Sequence, residues 1–296
     1  MSTDPLLSVV ICTHNRSADL RRCLDAVAGL EDEVEVIVVD SASDPPCREL
    51  VETFEGRIIR LAYLRDDTPG LSRARNRGLH AARADLVAFL DDDAAPRPDW
   101  ARTIAAPFTA DTRVGCVGGA CRAVFPDCDR PRWLSDRLLQ FAGITRFDEA
   151  REARSSTEWP FGANVAFRRT ALEDAGGFPE QLGRSGATLL SGEESVAIES
   201  LRAGGWKVML EPNAVVDHAV SAERCTSSYY WRRLWWAGVG RARAGRNRWQ
   251  TLARLLVAAP VRLGLYCVTW DRMYAYRLAE TAGFVHDLVH PGRAER

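Results

Sequence analysis

The sequence predicts an α/β fold built on a largely parallel sheet and followed by a basic helical extension. Two observations carry this prediction. Up to about residue 90, short runs rich in Val, Ile and Leu alternate with helical segments, as strands do when helices cover both faces of their sheet. Beyond Ser221 the alternation stops, and Arg and Trp become prominent. A chain of 296 residues, 46% apolar and 27% charged, can bury a large core, which excludes disordered, collagen-like and heptad-dominated classes.

The elements follow in order. Ser8–Cys12 (SVVIC) reads as a strand. Ser17–Gly29 reads as a helix, with Ser17 as N-cap, Leu20, Leu24 and Val27 on one face, and Gly29 as its stop. Val34–Val39 is a second strand and Asp44–Phe54 a second helix, with Pro45 and Pro46 near its start. Arg57–Leu64, Gly70–Ala84 and Leu86–Leu90 read as strand, helix and strand. Val114–Val124 suggests a strand pair turning at Gly118-Gly119, and 126–158 is loop-rich. Phe161–Phe167 is strand-like, Ser191–Ala203 helical, and Trp206–Leu210 a strand.

Charge is unevenly placed. Residues 219–296 carry 13 Arg against 5 Asp or Glu, a balance of +8, which leaves −9 on 1–218. Lys207 is the single lysine. Five tryptophans, Trp231, Trp235, Trp236, Trp249 and Trp270, share the basic segment. Arg interleaved with aromatics suits an anionic membrane surface; the alternative is a helical lid with its Trp side chains buried. No nucleic-acid partner is expected. The eight cysteines form no CxxC pair, and Cys116, Cys121 and Cys128 fit no common zinc spacing, so buried reduced thiols are expected. No basic segment followed by an apolar core opens the chain, so no signal peptide is expected. No spanning helix is expected either, because Pro260 and Arg262 interrupt the longest apolar stretch, Leu255 to Trp270.

The sharpest chemical feature is Phe89-Leu90-Asp91-Asp92-Asp93, three carboxylates at the end of an apolar strand. Such strand ends bind ligands in open α/β sheets. Adjacent like charges call for a counter-cation, and hard oxygen donors suit Mg²⁺ or Mn²⁺; a solvated acidic turn is the alternative. Glu193 and Glu194 open a helix, where they either complement its dipole or act as proton acceptors. His218 follows an apolar run and can complete a metal site, with a structural role as the alternative for a lone His. No GxGxxG follows a strand, and neither GxxxxGK[ST] nor GxSxG occurs, which argues against nicotinamide enzymes, P-loop NTPases and α/β-hydrolases.

Taken together, the segments resemble the family 2 glycosyltransferases. Ser8–Arg16 (SVVICTHNR) resembles the opening strand and loop of that family, and Val38–Asp44 (VVDSASD) its second strand. Gly70–Gly78 (GLSRARNRG), Asp91–Asp93, Gly162–Arg169 (GANVAFRR) and Leu189–Glu194 (LLSGEE) match its later motifs in order. The resemblance covers about residues 7–218 and implies a GT-A type, Rossmann-like mixed sheet flanked by helices. It divides the chain into a catalytic domain over 1–220, with a nucleotide-binding half to 110 and an acceptor-binding half from 111, and a helical extension over 221–296. It implies a metal-dependent inverting transfer from a nucleoside-diphosphate sugar, most often a UDP-sugar, to an acceptor hydroxyl. Thr13, Asn15, Arg16, Asp40, Arg75 and Asn76 would line the nucleotide pocket. Asp91 and Asp92 would hold the ribose and the metal shell, and Asp93 would coordinate Mg²⁺ or Mn²⁺ with His218. Glu194 would be the base, with Glu193 as the alternative. The acceptor stays open among a polysaccharide, a lipid-linked glycan and a small molecule such as a natural product. The expected setting is cytoplasmic, with the tail either packed on the catalytic domain or peripheral at the inner membrane face. A nucleotidyltransferase and a non-catalytic sugar-nucleotide-binding homologue are the competing readings.

Overall fold

The structure is a computed structural model that describes residues 5–145, 147–153, 160–186, 188–245 and 248–292. The first half runs β1 (Ser8–Thr13), α1 (Ser17–Val27), β2 (Glu35–Ser41), α2 (Arg48–Glu52), β3 (Arg60–Asp66), α3 (Leu71–Ala81), β4 (Leu86–Asp91), β5 (Ala94–Pro96) and α4 (Trp100–Ala110). Then come β6 (Val114–Val124), α5 (Asp136–Leu139), β7 (Arg151–Glu152), β8 (Asn164–Arg168), α6 (Arg169–Asp174), α7 (Glu193–Ala203) and β9 (Lys207–Ala219). Three helices follow: α8 (Ser227–Arg243), α9 (Arg248–Thr269) and α10 (Arg272–Val289). Parts of the loop-rich stretch 126–158 and of the basic segment lie outside the described residues.

The chain divides into two compact units. The first comprises 1–124, 143–180 and 194–219; the second comprises 125–142, 181–193 and 220–296. The basic segment therefore shares its unit with two stretches from earlier in the chain.

The first unit holds one mixed sheet in the order β3-β2-β1-β4-β8-β6-β9-β5, with β7 on β9. β3, β2, β1 and β4 run parallel, as the alternation of strands and helices predicts. β8 is antiparallel to both β4 and β6, which makes the sheet mixed. Successive side chains of a strand point to opposite faces, and here both faces are covered. Val9 and Ile11 join Leu20, Leu24, Trp100, Ile104 and Phe108 on one side. Val10, Ile37 and Phe89 join Phe167, Phe178, Ile198 and Leu201 on the other.

Several elements differ from the sequence expectation for identifiable reasons. α2 begins only at Arg48, because residues that precede proline are pushed out of the helical region; Asp44 and Pro45 both do. α1 starts at Ser17 with Arg16 in the N-cap position, so Ser17 is not the cap. Gly118-Gly119 does not turn the chain back: β6 continues through it as one strand. A Cβ at Gly119 would stand 2.7 Å from Asn164 Cγ, and one at Gly118 3.1 Å from Pro160 Cα, so close approach rather than a bend accounts for the pair. Trp206–Leu210 and the run before His218 are one strand, β9, with a register break where Gly119 pairs with Glu211 and Ala120 with Val215. Only Cys23, Cys47, Cys116 and Cys121 are buried among the free cysteines; Cys267 is exposed, and Cys128 Sγ lies 3.4 Å from Cys225 Sγ.

In the second unit, α8 packs through Trp236 and Val239 on Leu190. Gly240 lets the helix approach closely, since a Cβ there would stand 3.3 Å from the Ser191 carbonyl carbon. Arg233 donates to Ser191 Oγ at 2.9 Å and to Phe141 O at 3.2 Å. α8 and α10 are joined by Arg241–Glu280 at 2.7 Å and Arg243–Asp287 at 3.2 Å. The five tryptophans divide: Trp236 is buried and Trp235 half-buried, while Trp231, Trp249 and Trp270 are exposed. α9 corrects the expectation of no spanning-length helix, because it is continuous through Pro260 and Arg262 and is long and apolar enough to cross a membrane by length and composition.

Candidate functional site

β4 ends at Asp91, and the chain then turns through Asp92 and Asp93 into β5. Pairing of β5 with β9 sets Ala94 opposite His218, and Ala219 N donates to Asp93 O at 2.9 Å. This register is what carries His218 to the carboxylates. Ligand atoms of Asp91, Asp93 and His218 lie within 4.8 Å of one another, with Asp93 and His218 buried. His218 Nε2 stands 2.8 Å from Asp93 Oδ1. Neither ring nitrogen of His218 makes a hydrogen bond among the described residues. The contact with Asp93 Oδ1 therefore lacks hydrogen-bond alignment, and a metal ion between the two would satisfy both atoms. Two carboxylates and an imidazole converging on one point form a donor set that fits Mn²⁺ or Mg²⁺.

The three aspartates divide their partners. Asp92 turns toward the end of β1: Thr13 Oγ1 donates to it at 2.8 Å and Arg16 Nη1 at 2.6 Å. Arg16 Nη2 reaches Asp93 Oδ2 at 2.7 Å, so one guanidinium spans two neighbouring acids. Burial pushes the Asp92 carboxyl up to about 7; Arg16 opposes the rise, and Asp93 adds to it. Asp91 instead meets Arg75, at 3.3 Å from Nη2.

Arg75, on α3, is the link to the predicted base. Its Nη1 lies 3.2 Å from Glu194 Oε1, and its guanidinium carbon stands 5.5 Å from the centre of the Phe178 ring. Gly162 lies against this pair, so that any side chain there would overlap Arg75 Nη2 and Glu194 Oε1. The sequence therefore brings together Asp91, Asp93, His218, Arg75 and Glu194 from β4, its following turn, β9, α3 and α7. Glu193 is buried and falls to the second unit.

Three predicted nucleotide residues have other partners. Asp40 is fully buried at the end of β2, where it accepts from Ser43 N at 2.8 Å, Cys47 N at 3.0 Å and Tyr63 Oη at 2.7 Å. Burial would raise its pKa, but these hydrogen bonds outweigh it and hold the carboxyl down at about 2. Asn76 clamps the Phe178 peptide, donating to its O at 2.8 Å and accepting from its N at 2.9 Å. Asn15 has φ 56°, in the left-handed region that Asn tolerates. It ties two loops together, with its N on Ser43 Oγ at 3.0 Å and its Oδ1 accepting from Asp44 N at 2.7 Å.

Sequence reasoning left three supporting residues without a role. Asn164 is buried and cross-braces the sheet, accepting from Trp100 Nε1 at 2.9 Å and donating to Ala120 O at 3.0 Å and Ala214 O at 2.8 Å. Gly162 and Phe178 flank Arg75. Asn164 and Gly162 stand in the matched GANVAFRR segment, whereas no local pattern marks Phe178.

Comparison with known proteins agrees with this geometry. The model for glycosyl transferase family 2 matches residues 8–176. A glucosyl-dolichyl phosphate glucuronosyltransferase of Haloferax volcanii is 25% identical over 240 residues, 78% of this chain and 75% of the relative. A validoxylamine A glucosyltransferase of Streptomyces hygroscopicus subsp. jinggangensis is 36% identical over 204 residues, 60% of this chain and 47% of the relative. The chain thus spans three quarters of one curated relative and about half of the other. Among solved structures, the mannosyltransferase PcManGT of Pyrobaculum calidifontis, in complex with GDP-Man and Mn²⁺, aligns with TM-score 0.62 and 23% identity over 97% of this chain and 88% of that one. S. aureus TarS 1-349 in complex with UDP aligns with TM-score 0.54 and 17% identity, covering 97% and 73%. A match over more than half of the sequence, on a sheet of the same GT-A architecture, settles the assignment: the chain belongs to glycosyl transferase family 2 and is a glycosyltransferase.

Proposed function

We propose that the protein transfers a sugar with inversion from a nucleoside-diphosphate sugar, UDP-linked in the first instance, to the hydroxyl of a lipid-linked acceptor. The observation that carries this reading is the continuous chain of contacts from the Asp91, Asp93 and His218 cluster through Arg75 to Glu194. Asp91, Asp93 and His218 would hold a divalent cation, which when bound supplies counter-charge for the leaving diphosphate. Arg16 and Arg75 present guanidinium groups at the cluster, and such groups recognise phosphate oxygens. Asp40, Asn15 and Asn76 act through the backbone they brace and so shape the nucleotide pocket. Asp92 fixes Thr13 and Arg16 at its edge. Glu194 takes the proton of the acceptor hydroxyl as the new bond forms, a contribution worth typically 10²–10⁴-fold.

The relatives' names support a lipid-linked acceptor in one case and a small glycosyl acceptor in the other. The basic segment favours the former, with the protein held at the cytoplasmic face of an anionic membrane. The test is a screen of nucleoside diphosphates and their sugars by thermal shift and calorimetry, with and without Mn²⁺ or Mg²⁺. UDP and a UDP-sugar should stabilise the protein in the presence of metal, and turnover should release free nucleoside diphosphate. Release of pyrophosphate instead would refute the reading.

A further inference from the structure

Among the described residues, the outer face of α9 finds no packing partner in its own unit. The helix meets that unit along one side. Leu255 packs with Ala242 and Phe284, and Arg262 Nη1 donates to Thr281 Oγ1 at 3.2 Å and Arg277 O at 3.4 Å. Leu255 and Arg262 are seven residues apart and so share a helix face. On the opposite side, Val257 is 74% exposed, Val268 80% and Trp249 74%, with Leu256 and Val261 also exposed; Trp270, just past the helix end, is 77% exposed. Single exposed apolar residues are ordinary, but a continuous strip along a 22-residue helix is not.

Charge identifies the occupant. α9 carries Arg248, Arg254 and Arg262 and no acidic residue. Arg248 and Arg254 are exposed. A second copy on this face would bring like charges together with no acid on the helix to offset them. An anionic lipid surface offers the complementary charge and an apolar layer beneath it. The inner side of the helix decides its orientation. If α9 spanned a bilayer, Arg262 would leave Thr281 and Arg277 for hydrocarbon, where a guanidinium is strongly disfavoured.

We propose that α9 lies flat in the interface of an anionic bilayer, with the side of Trp249, Val257, Val261 and Val268 among the upper acyl chains and Arg248 and Arg254 at the level of the headgroup phosphates. This rests on the reading that the basic segment meets a membrane, and it names the element that enters. Bilayer contact is read without substrate, so its failure leaves the sugar-transfer reading untouched.

The test uses the full chain, in flotation with phosphatidylcholine vesicles with and without phosphatidylglycerol. The wild-type protein should float with the anionic vesicles at low salt. The variant V257S/V261S/V268S should bind at least about tenfold more weakly, since apolar burial adds to electrostatic attraction, while keeping its affinity for nucleoside diphosphate. Equal flotation of the two would overturn the insertion of α9 and leave only electrostatic attachment. No flotation of the wild type would overturn attachment as well. A dimer in lipid-free solution that the triple variant abolishes would also overturn the proposal, assigning the face to a second copy. Depth is read from a fluorophore on Cys267, with Cys12, Cys128 and Cys225 replaced by Ser. Spin labels near the headgroups should quench it more than labels at the acyl-chain ends, and the reverse order would mean a spanning helix.

Discussion

Replacing Gly162 with Ala tests the link between Arg75 and Glu194 with a single carbon atom. The backbone at Gly162 is not in the left-handed region, so it admits alanine and the effect is steric. The added Cβ would stand 2.8 Å from Arg75 Cζ, where carbon contacts settle at about 3.5–4.0 Å. The guanidinium must therefore retreat by about 1 Å. It has little room, because it is buried between Asp91, Glu194 and Phe178. A misplacement of about 1 Å in a reacting constellation costs on the order of 10²-fold in rate. Overpacking of this kind destabilises by about 1–3 kcal/mol, too little to unfold a typical domain. The assay is steady-state turnover of donor and acceptor beside thermal unfolding. Gly162→Ala should lower kcat by about 10²-fold with a modest fall in Tm. In a Glu194→Gln background the same substitution should cost far less, because both act on one contact. Wild-type kcat in Gly162→Ala, or full additivity with Glu194→Gln, would refute the reasoning.

The other predictions follow from single contacts. Glu194→Gln should retain nucleotide binding and lose about 10²-fold or more in kcat, with Glu193→Gln near wild type; the reverse pattern in a kinetic comparison would move the base to Glu193. Asp93→Ala should abolish turnover and Mn²⁺ binding while leaving the circular dichroism spectrum unchanged, and chelator should inactivate the wild type until Mn²⁺ or Mg²⁺ is returned. Activity that persists in chelator would exclude a metal role. Asp40 should contribute to stability in a pH-dependent way. Its folded pKa of about 2 lies below the roughly 3.9 of an unfolded aspartate, a gap equivalent to about 2 kcal/mol. That contribution is complete above about pH 4 and is lost as pH falls toward 2. Denaturant titrations should therefore show Asp40→Asn less stable than wild type at neutral pH and the two converging near about pH 2.

The part of the fold that was legible in the sequence is the part set by local pattern. β1, β2 and β4 alternate between two covered faces, so their apolar runs announce them and their order. The partners of Asp40 and Asn76 were not legible. Both sit in matched motifs, and nothing local distinguishes a side chain that meets a ligand from one that holds the loop beside it. Asp40 is enclosed by Tyr63 from β3 and by the Cys47 amide, and Asn76 by the Phe178 peptide, so each role depends on a contact distant in the chain. The Gly118-Gly119 pair was misread for the same reason, since Pro160 and Asn164 require those glycines and lie about forty residues away. α9 was misread because Pro260 and Arg262 look like interruptions in sequence. In the helix Arg262 faces inward to Thr281, and the apolar side passes it by.

The site's charge balance ties these observations to one chemistry. Among the described residues, four carboxylates, Asp91, Asp92, Asp93 and Glu194, meet the guanidiniums of Arg16 and Arg75. Burial raises the Asp92 carboxyl, and the neighbouring Asp93 and Asp91 charges add to the rise. A nucleoside diphosphate would bring further negative charge to this acidic cluster. A divalent ion would offset that charge, and the donors grouped to hold one are those of Asp91, Asp93 and His218. Binding of nucleotide and of metal must then favour each other by the same factor, since the coupling between two ligands is reciprocal. The pairing of β5 with β9 matters for this reason: it adds an imidazole beside the carboxylates, a metal donor that carries no negative charge of its own.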